Sequence, residues 1–204
     1  MIPLSIPNIN GNEWQYVKDC LDSGWISSAG TYVNKFEEAI QNYTGAKYAV
    51  ACMNGTAGLQ VSLNLVGVKN DDIVIVPNLT FVASLNAISY TGAQIVLIDI
   101  CSDSWQMDIN LLHKWLKENT ITEIIDGKPQ TFEKITNKKV SAIMPVYVLG
   151  GFVDIENLIE ISSIYGIPIV EDSTEALGSF KKGKHAGTFG STGVISFNGN
   201  KIIS

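Results

Sequence analysis

No apolar run in this chain approaches the ~18–20 residues that a helix needs to cross a bilayer. The opening Met1-Ile2-Pro3-Leu4 has no basic start and leads into no hydrophobic stretch, so an export signal is not expected. Cysteine is sparse. Cys20, Cys52 and Cys101 are odd in number and widely spaced, with no CxxC pair among them. That pattern offers neither a disulfide framework nor a zinc site, and fits reduced, mostly structural thiols in a cytoplasmic protein. Positive charge is also short: 14 Lys and Arg stand against 20 Asp and Glu, a net charge of −6. A nucleic-acid-binding surface is not expected from such a balance. The pairs Lys138-Lys139 and Lys181-Lys182 read as solvated edges. Neither GxGxxG nor GxxxxGK[ST] occurs, so dinucleotide and nucleoside-triphosphate loops lack support.

What is present is a globular interior: 204 residues, 46% hydrophobic, with no disordered tract and no repeat. Helical periodicity places amphipathic helices at 12–22, with Trp14, Val17 and Leu21 on one face, and at 32–43. Further helices are expected at 57–66, 81–90, from Asp108 through Leu116, and at 154–165. Between them run short apolar strands at 48–52, 73–76, 95–98, 140–145, 167–170 and 193–197. Residues 120–139 are polar and read as an irregular surface excursion, broken by Gly127 and Pro129. Uniformly apolar strands separated by helices predict an α/β fold with a mostly parallel central sheet and helices on both faces. Residues 1–30 read as an arm feeding a single domain over 31–204.

Ligands in such sheets sit beyond the carboxyl ends of the strands, and the chemically interesting residues follow strands here. Asn54-Gly55-Thr56 opens a helix whose free amides and dipole suit a phosphate. Asn54 or Thr56 as a simple N-cap is an equally good reading of that tripeptide alone. Phe81 follows Pro77-Asn78-Leu79-Thr80 at another strand-to-helix mouth, where an aromatic ring can stack on a flat heterocycle; singly it is more often a core residue. Glu171-Asp172 ends an apolar strand, with Glu175 three residues on. A strand-end carboxylate can hold a protonated ring nitrogen, and the alternative is an acidic cluster at a helix N-terminus. Adjacent strand residues face opposite ways, so Asp172 is the candidate and Glu171 the structural acid. Ser196-Phe197 leads through Asn198-Gly199-Asn200 to Lys201. A lysine held in a pocket is a nucleophile toward carbonyls, and a lysine with a strand-end aspartate recurs in pyridoxal-phosphate sites.

Together these motifs resemble the DegT/DnrJ/EryC1/StrS family of sugar aminotransferases, which have the aspartate-aminotransferase (type I) fold. The resemblance runs from Ile6-Pro7 and Ser23-Gly24-Trp25-Ile26-Ser27 through Asn54-Gly55-Thr56, Thr80-Phe81, Glu171-Asp172, Gly178-Ser179 and Ser196-Phe197 to Lys201. It implies a pyridoxal 5′-phosphate (PLP) cofactor in a large domain over 31–204 that is incomplete at its C-terminus. Lys201 would join the cofactor as a Schiff base and shuttle the proton. Asp172 would pair with the pyridinium nitrogen, Phe81 would stack on the ring, and Gly55, Thr56 and Ser196 would hold the phosphate. Glu175 would face the cofactor's phenolic oxygen, where many relatives carry Gln or His. Lys201, in place of the His of a dehydrating offshoot, implies amino transfer. Glutamate would be the amino donor and a nucleotide-linked keto sugar the acceptor. The Asn198-Gly199-Asn200-Lys201 form resembles the branch acting on UDP-linked 4-keto amino sugars. A homodimer with a shared site is implied as well. The alternative is a truncated, non-catalytic module that keeps the fold.

Overall fold

The computed structural model describes Ile6 and residues 8–203; Met1 to Leu4 and Pro7, which figure in the sequence reading, lie outside the described residues. Along the chain, α1 (Glu13–Ser23) and α2 (Thr31–Thr44) end at the expected glycines, Gly24 and Gly45. Next come α3 (Gly55–Leu65), β1 (Ile73–Pro77), α4 (Val82–Tyr90), β2 (Gln94–Ile98) and α5 (Ile109–Asn119). The hairpin β3 (Thr120–Ile125) and β4 (Lys128–Glu133) precedes β5 (Val140–Ile143) and a 3-10 turn at Val148–Gly150. After α6 (Ile155–Tyr165) come β6 (Val170–Asp172), the short hairpin β7 (Phe180–Lys181) and β8 (Lys184–His185), and β9 (Thr192–Val194).

β1 is buried at all five positions and pairs in parallel with β2 on one side and β5 on the other. Parallel bridges Ile143–Ile169 and Val146–Asp172 carry the ladder from β5 to β6, and β9 lies parallel to β6. The result is a parallel sheet in the order β2-β1-β5-β6-β9, as the apolar strands predicted. Alternation along β1 divides the core. Ile73 and Ile75 pack toward Leu112, Leu116 and Leu158 of α5 and α6, while Val74 and Val76 pack toward Leu59 and Ile88 of α3 and α4. Each such side chain, fully buried, contributes about 1.5–3 kcal/mol. Asp108 and Asp154 cap α5 and α6, accepting from the Asn110 and Asn157 amides at 2.8 and 3.5 Å.

Four expectations are corrected. The strand expected at 48–52 forms no ladder; its residues stay irregular, and Tyr48 and Val50 are exposed. The excursion at 120–139 is mostly the antiparallel β3–β4 hairpin. Its turn residues Asp126 and Gly127 have φ of 52° and 74°, the double left-handed geometry of a tight Asp-Gly hairpin turn. The strand expected at 193–197 ends at Val194, so Ser196 and Phe197 lie beyond it. No helix follows Glu171-Asp172 among the described residues, so these acids are not a helix N-terminal cluster.

Candidate active site

The carboxyl ends of β1, β6 and β9 and the start of α3 meet at one edge of the sheet. Asp172, the last residue of β6, is only 3% exposed. Its Oδ2 accepts from Ser84 Oγ at 2.6 Å and its Oδ1 from the Thr174 amide at 3.2 Å. Ser84 thereby spends its proton on Asp172, which leaves it to accept from Thr80 Oγ1 at 2.7 Å. Burial pushes the Asp172 carboxyl up, and the Ser84 and Thr174 donors and the Lys201 charge pull it only part of the way back. A buried carboxylate of this kind is stabilised by a cationic ring N–H.

Phe81 caps α4 and lies one helical turn before Ser84, the residue that touches Asp172. It is 75% exposed, so it stands as an open aromatic wall and not as the core residue of the alternative reading. The start of α3 borders the centre near Thr174 and Ser196. Asn54 Oδ1 caps the Ala57 amide at 2.8 Å, so the N-cap reading holds for Asn54. Among the described residues the Gly55 and Thr56 amides keep no partner, and they remain free for an anion. A Cβ at Gly55 would stand 3.2 Å from Thr174 Cγ2 and 3.8 Å from Ser196 Cβ. Gly55, Thr174 and Ser196 therefore form one close-packed cradle, which a larger residue at position 55 would crowd.

Lys201 follows a turn closed by its own amide on Asn198 O at 2.8 Å. Its Nζ donates to Glu175 Oε1 at 3.1 Å, with four-fifths of the lysine side chain buried. Glu175 Oε2 accepts from the Leu149 amide at 2.9 Å. Burial pushes the Glu175 carboxyl up, but the Leu149 amide and Lys201 outweigh it and hold it below the usual carboxylate range. Its two partners here are a lysine and a main-chain amide, a setting in which a carboxylate is at ease.

Glu171 faces away from this centre. Completely buried, it accepts from Tyr147 OH at 2.6 Å and from the amides of Gly187 at 2.9 Å and Gly190 at 2.6 Å. It fastens the 185–190 loop, in place of the helix N-terminal role expected for it, because no helix follows β6 for its charge to cap. Burial and the Glu171 charge in turn push the Tyr147 hydroxyl far up. Sequence reading missed Ser84 and Leu149, and it noted Thr80 in its motif without a role. Ser84 was open to discovery, because it lies one turn after Phe81 on the same face of a helix; Leu149, which acts through its backbone, left no side-chain signal. An open cleft of about 370 Å³ between α1 and α2, lined by Tyr16, Leu21, Trp25 and Tyr32 among others, shares no residue with the Lys201–Asp172 centre.

A parallel α/β sheet that brings a lysine, a buried strand-end carboxylate and a helix start with free amides to its carboxyl edge has the large-domain architecture of type I aminotransferases. The chain belongs to the DegT/DnrJ/EryC1/StrS aminotransferase family, whose profile matches residues 7–204. It is 39% identical over its whole length to the GDP-perosamine synthase of Escherichia coli O157:H7, covering 50% of that protein. It is 36% identical to the GDP-perosamine synthase of Caulobacter vibrioides, covering 100% of this chain and 49% of that one. Among solved structures it is similar to Spr1654 of Streptococcus pneumoniae, described as a sugar aminotransferase and solved in its PLP-form. That likeness has a TM-score of 0.83 at 31% identity, over 100% of this chain and 50% of the other. The chain spans about half the length of the curated relatives it matches.

Proposed function

We propose that this chain is the cofactor-bearing part of a PLP-dependent aminotransferase that aminates a nucleotide-linked keto sugar, with glutamate as amino donor. The observation that carries the reading is the convergence of Lys201, Asp172 and the Gly55–Ser196 cradle at one sheet edge. These residues fit the cofactor: a close-approach glycine with free amides suits a phosphate, and a buried carboxylate suits a ring nitrogen. Bound there, PLP supplies an aldehyde and an electron-accepting ring, which no side chain can offer.

The chain's own residues do the rest. The Gly55 and Thr56 amides and the Thr56 and Ser196 hydroxyls bind the phosphate at the positive end of α3. Phe81 covers one face of the ring and excludes water from it. Asp172 keeps a proton on the ring nitrogen, with Ser84 and Thr174 fixing the carboxylate's direction. Lys201 provides the amine that anchors the cofactor and carries a proton at Nζ during amino transfer. A second copy of the chain bordering the site is part of the proposal.

The GDP-perosamine synthases weigh toward a GDP-linked acceptor. The UDP-linked acceptor expected from the Asn198–Lys201 run has only that run in its support. A cofactor-holding module without turnover is the second reading, and it draws on the half-length coverage of the relatives. Incubation with PLP followed by borohydride should leave a phosphopyridoxyl mass on the Lys201 peptide, absent in Lys201→Ala. A folded chain that takes up no such mass sinks the cofactor assignment. Glutamate should then release the unreduced cofactor from Lys201; failure of that step alone selects the inert module. Thr56→Val should weaken PLP binding about 10-fold, and unchanged binding would remove Thr56 from the phosphate site.

A further inference from the structure

Glu175 bridges two parts of the molecule. One oxygen takes the Lys201 Nζ at 3.1 Å and the other the Leu149 amide at 2.9 Å. The Leu149 end is under constraint. Leu149 has φ 54° and ψ 24° inside the Val148–Gly150 turn, a left-handed conformation that a leucine holds only against steric resistance. The turn is fastened on both sides of Leu149. Gln106 Nε2 donates to Val148 O at 3.1 Å, and Ser179 Oγ donates to Gly150 O at 2.8 Å. Gly150 also lies so close that a Cβ there would stand 3.3 Å from Glu175 O. Strained backbone kept in place by several independent contacts is characteristic of functional sites.

We infer that Glu175 is a positioning residue that fastens the Lys201 amine to the Val148–Gly150 turn, so that the reach of the amine and the shape of the turn are set together. The inference rests on the reading of Lys201 as the cofactor-anchoring amine, and it gives Glu175 a different task from facing a cofactor oxygen. A lysine head on a four-carbon stem samples many rotamers. A carboxylate already held by a main-chain amide restricts that sampling more than a freely swinging one, because its own orientation is fixed beforehand. Leu149 is 78% exposed, so a ligand docking against it bears on the same turn. Pressure on that turn reaches Lys201 through a single side chain.

The test begins with the cofactor-free chain. Hydrogen exchange at the Leu149 amide should accelerate about 10-fold or more in Glu175→Ala. In Glu175→Gln, which keeps an acceptor oxygen, it should stay within about 3-fold of the parent. The second readout is the rate at which added PLP becomes fixed to Lys201 by borohydride, followed by peptide mass. Glu175→Gln should slow that capture about 10-fold, because the charge that orients the amine is gone. Unchanged Leu149 exchange in Glu175→Ala overturns the fastening, and unchanged capture in Glu175→Gln overturns the positioning. Should Glu175→Ala not fold, Glu175→Asp replaces it. One methylene shorter, the bridge cannot span both partners, and retention of parental exchange and parental capture together would overturn the inference. If the parent itself captures no PLP, the cofactor reading fails, and the exchange measurement still decides whether Glu175 holds the turn.

Discussion

Ile73–Pro77 and Tyr48–Cys52 are both short apolar runs bounded by turn-forming residues, and periodicity alone treats them alike. In the folded chain the first is a central strand buried at every position, flanked by β2 and β5. The second forms no strand; its main hold is the Ala51 amide on Glu37 Oε1 at 2.8 Å. The contrast extends to their surroundings. α5 and α6 bury Leu112, Leu116, Leu158 and Ile161 against the sheet, whereas α1 buries no side chain and α2 only Thr44. An apolar pattern therefore records that a segment is suited to burial, but burial itself requires a neighbour to supply the other surface.

The largest test of this contrast is a matched pair of truncations. Ile75→Ala, in the centre of β1, should cost about 2–5 kcal/mol in urea unfolding. Val50→Ala, at 78% exposed, should stay within about 0.5 kcal/mol. Comparable costs for the two would mean that the 48–52 segment is buried in solution.

The second test asks whether the packed side accommodates its charge at a cost. Burial raises the Asp172 carboxyl above its ordinary range. Stability lent by the protonated form is complete below that range and is lost as pH rises through the higher folded value. Asp172→Asn should match the cofactor-free parent in acid and exceed it above this window. The gap should widen by up to about 1.4 kcal/mol per pH unit across the window. A difference between the two proteins that does not vary with pH would contradict the burial argument. The same substitution should abolish tight cofactor binding, so stability and function would move in opposite directions.

The smallest effect belongs to the surface of the packed side. Glu156 on α6 meets Lys181 at 2.8 Å and Lys182 at 3.0 Å. These two lysines, and chiefly Lys181, hold its carboxyl down at about 2. The pair read in sequence as a solvated edge keeps Lys182 largely in solvent, and both lysines also tie the β7–β8 hairpin to α6. Their contribution is present above the ordinary glutamate range and disappears as pH falls toward about 2. Glu156→Gln should lower the melting temperature slightly at neutral pH, less so in high salt, and not at all at the acid end. Thermal melts across pH and salt would check this; a deficit that survives 1 M salt would point to packing instead of charge.

Much of the fold was legible because the covered strands are both apolar and β-branched. Ile73-Val74-Ile75-Val76, Ile95-Val96-Leu97-Ile98 and Val140 to Ile143 fall where their pattern put them. The β3–β4 hairpin was hidden by polarity. Its outer face is solvated, so Thr120 to Glu133 lacks the continuous apolar run that marked the other strands, although Asp126-Gly127 carried the turn signal. β9 stops earlier than expected because parallel pairing with β6 ends at the Asp172–Val194 pair, and hydrophobicity past that point builds no further ladder. In the site, Phe81, Glu175, Ser196 and Lys201 follow strands and Asp172 ends one, whereas Gly55 and Thr56 follow a segment that forms no strand. Ser84 and the Leu149 amide were not legible, since their roles depend on which helix face and which backbone atom point inward.

The strand β6 ends in two carboxylates on consecutive residues, one turned toward Ser84 and the other toward the 185–190 loop. Their alternation means that neither can be relocated without the other. Anyone grafting the Asp172 centre onto a different scaffold would need to carry along a buried acid and the glycine amides that satisfy it, because the adjacent position on the strand faces the interior. Portability of this chemistry is thus limited by a neighbour that takes no part in it.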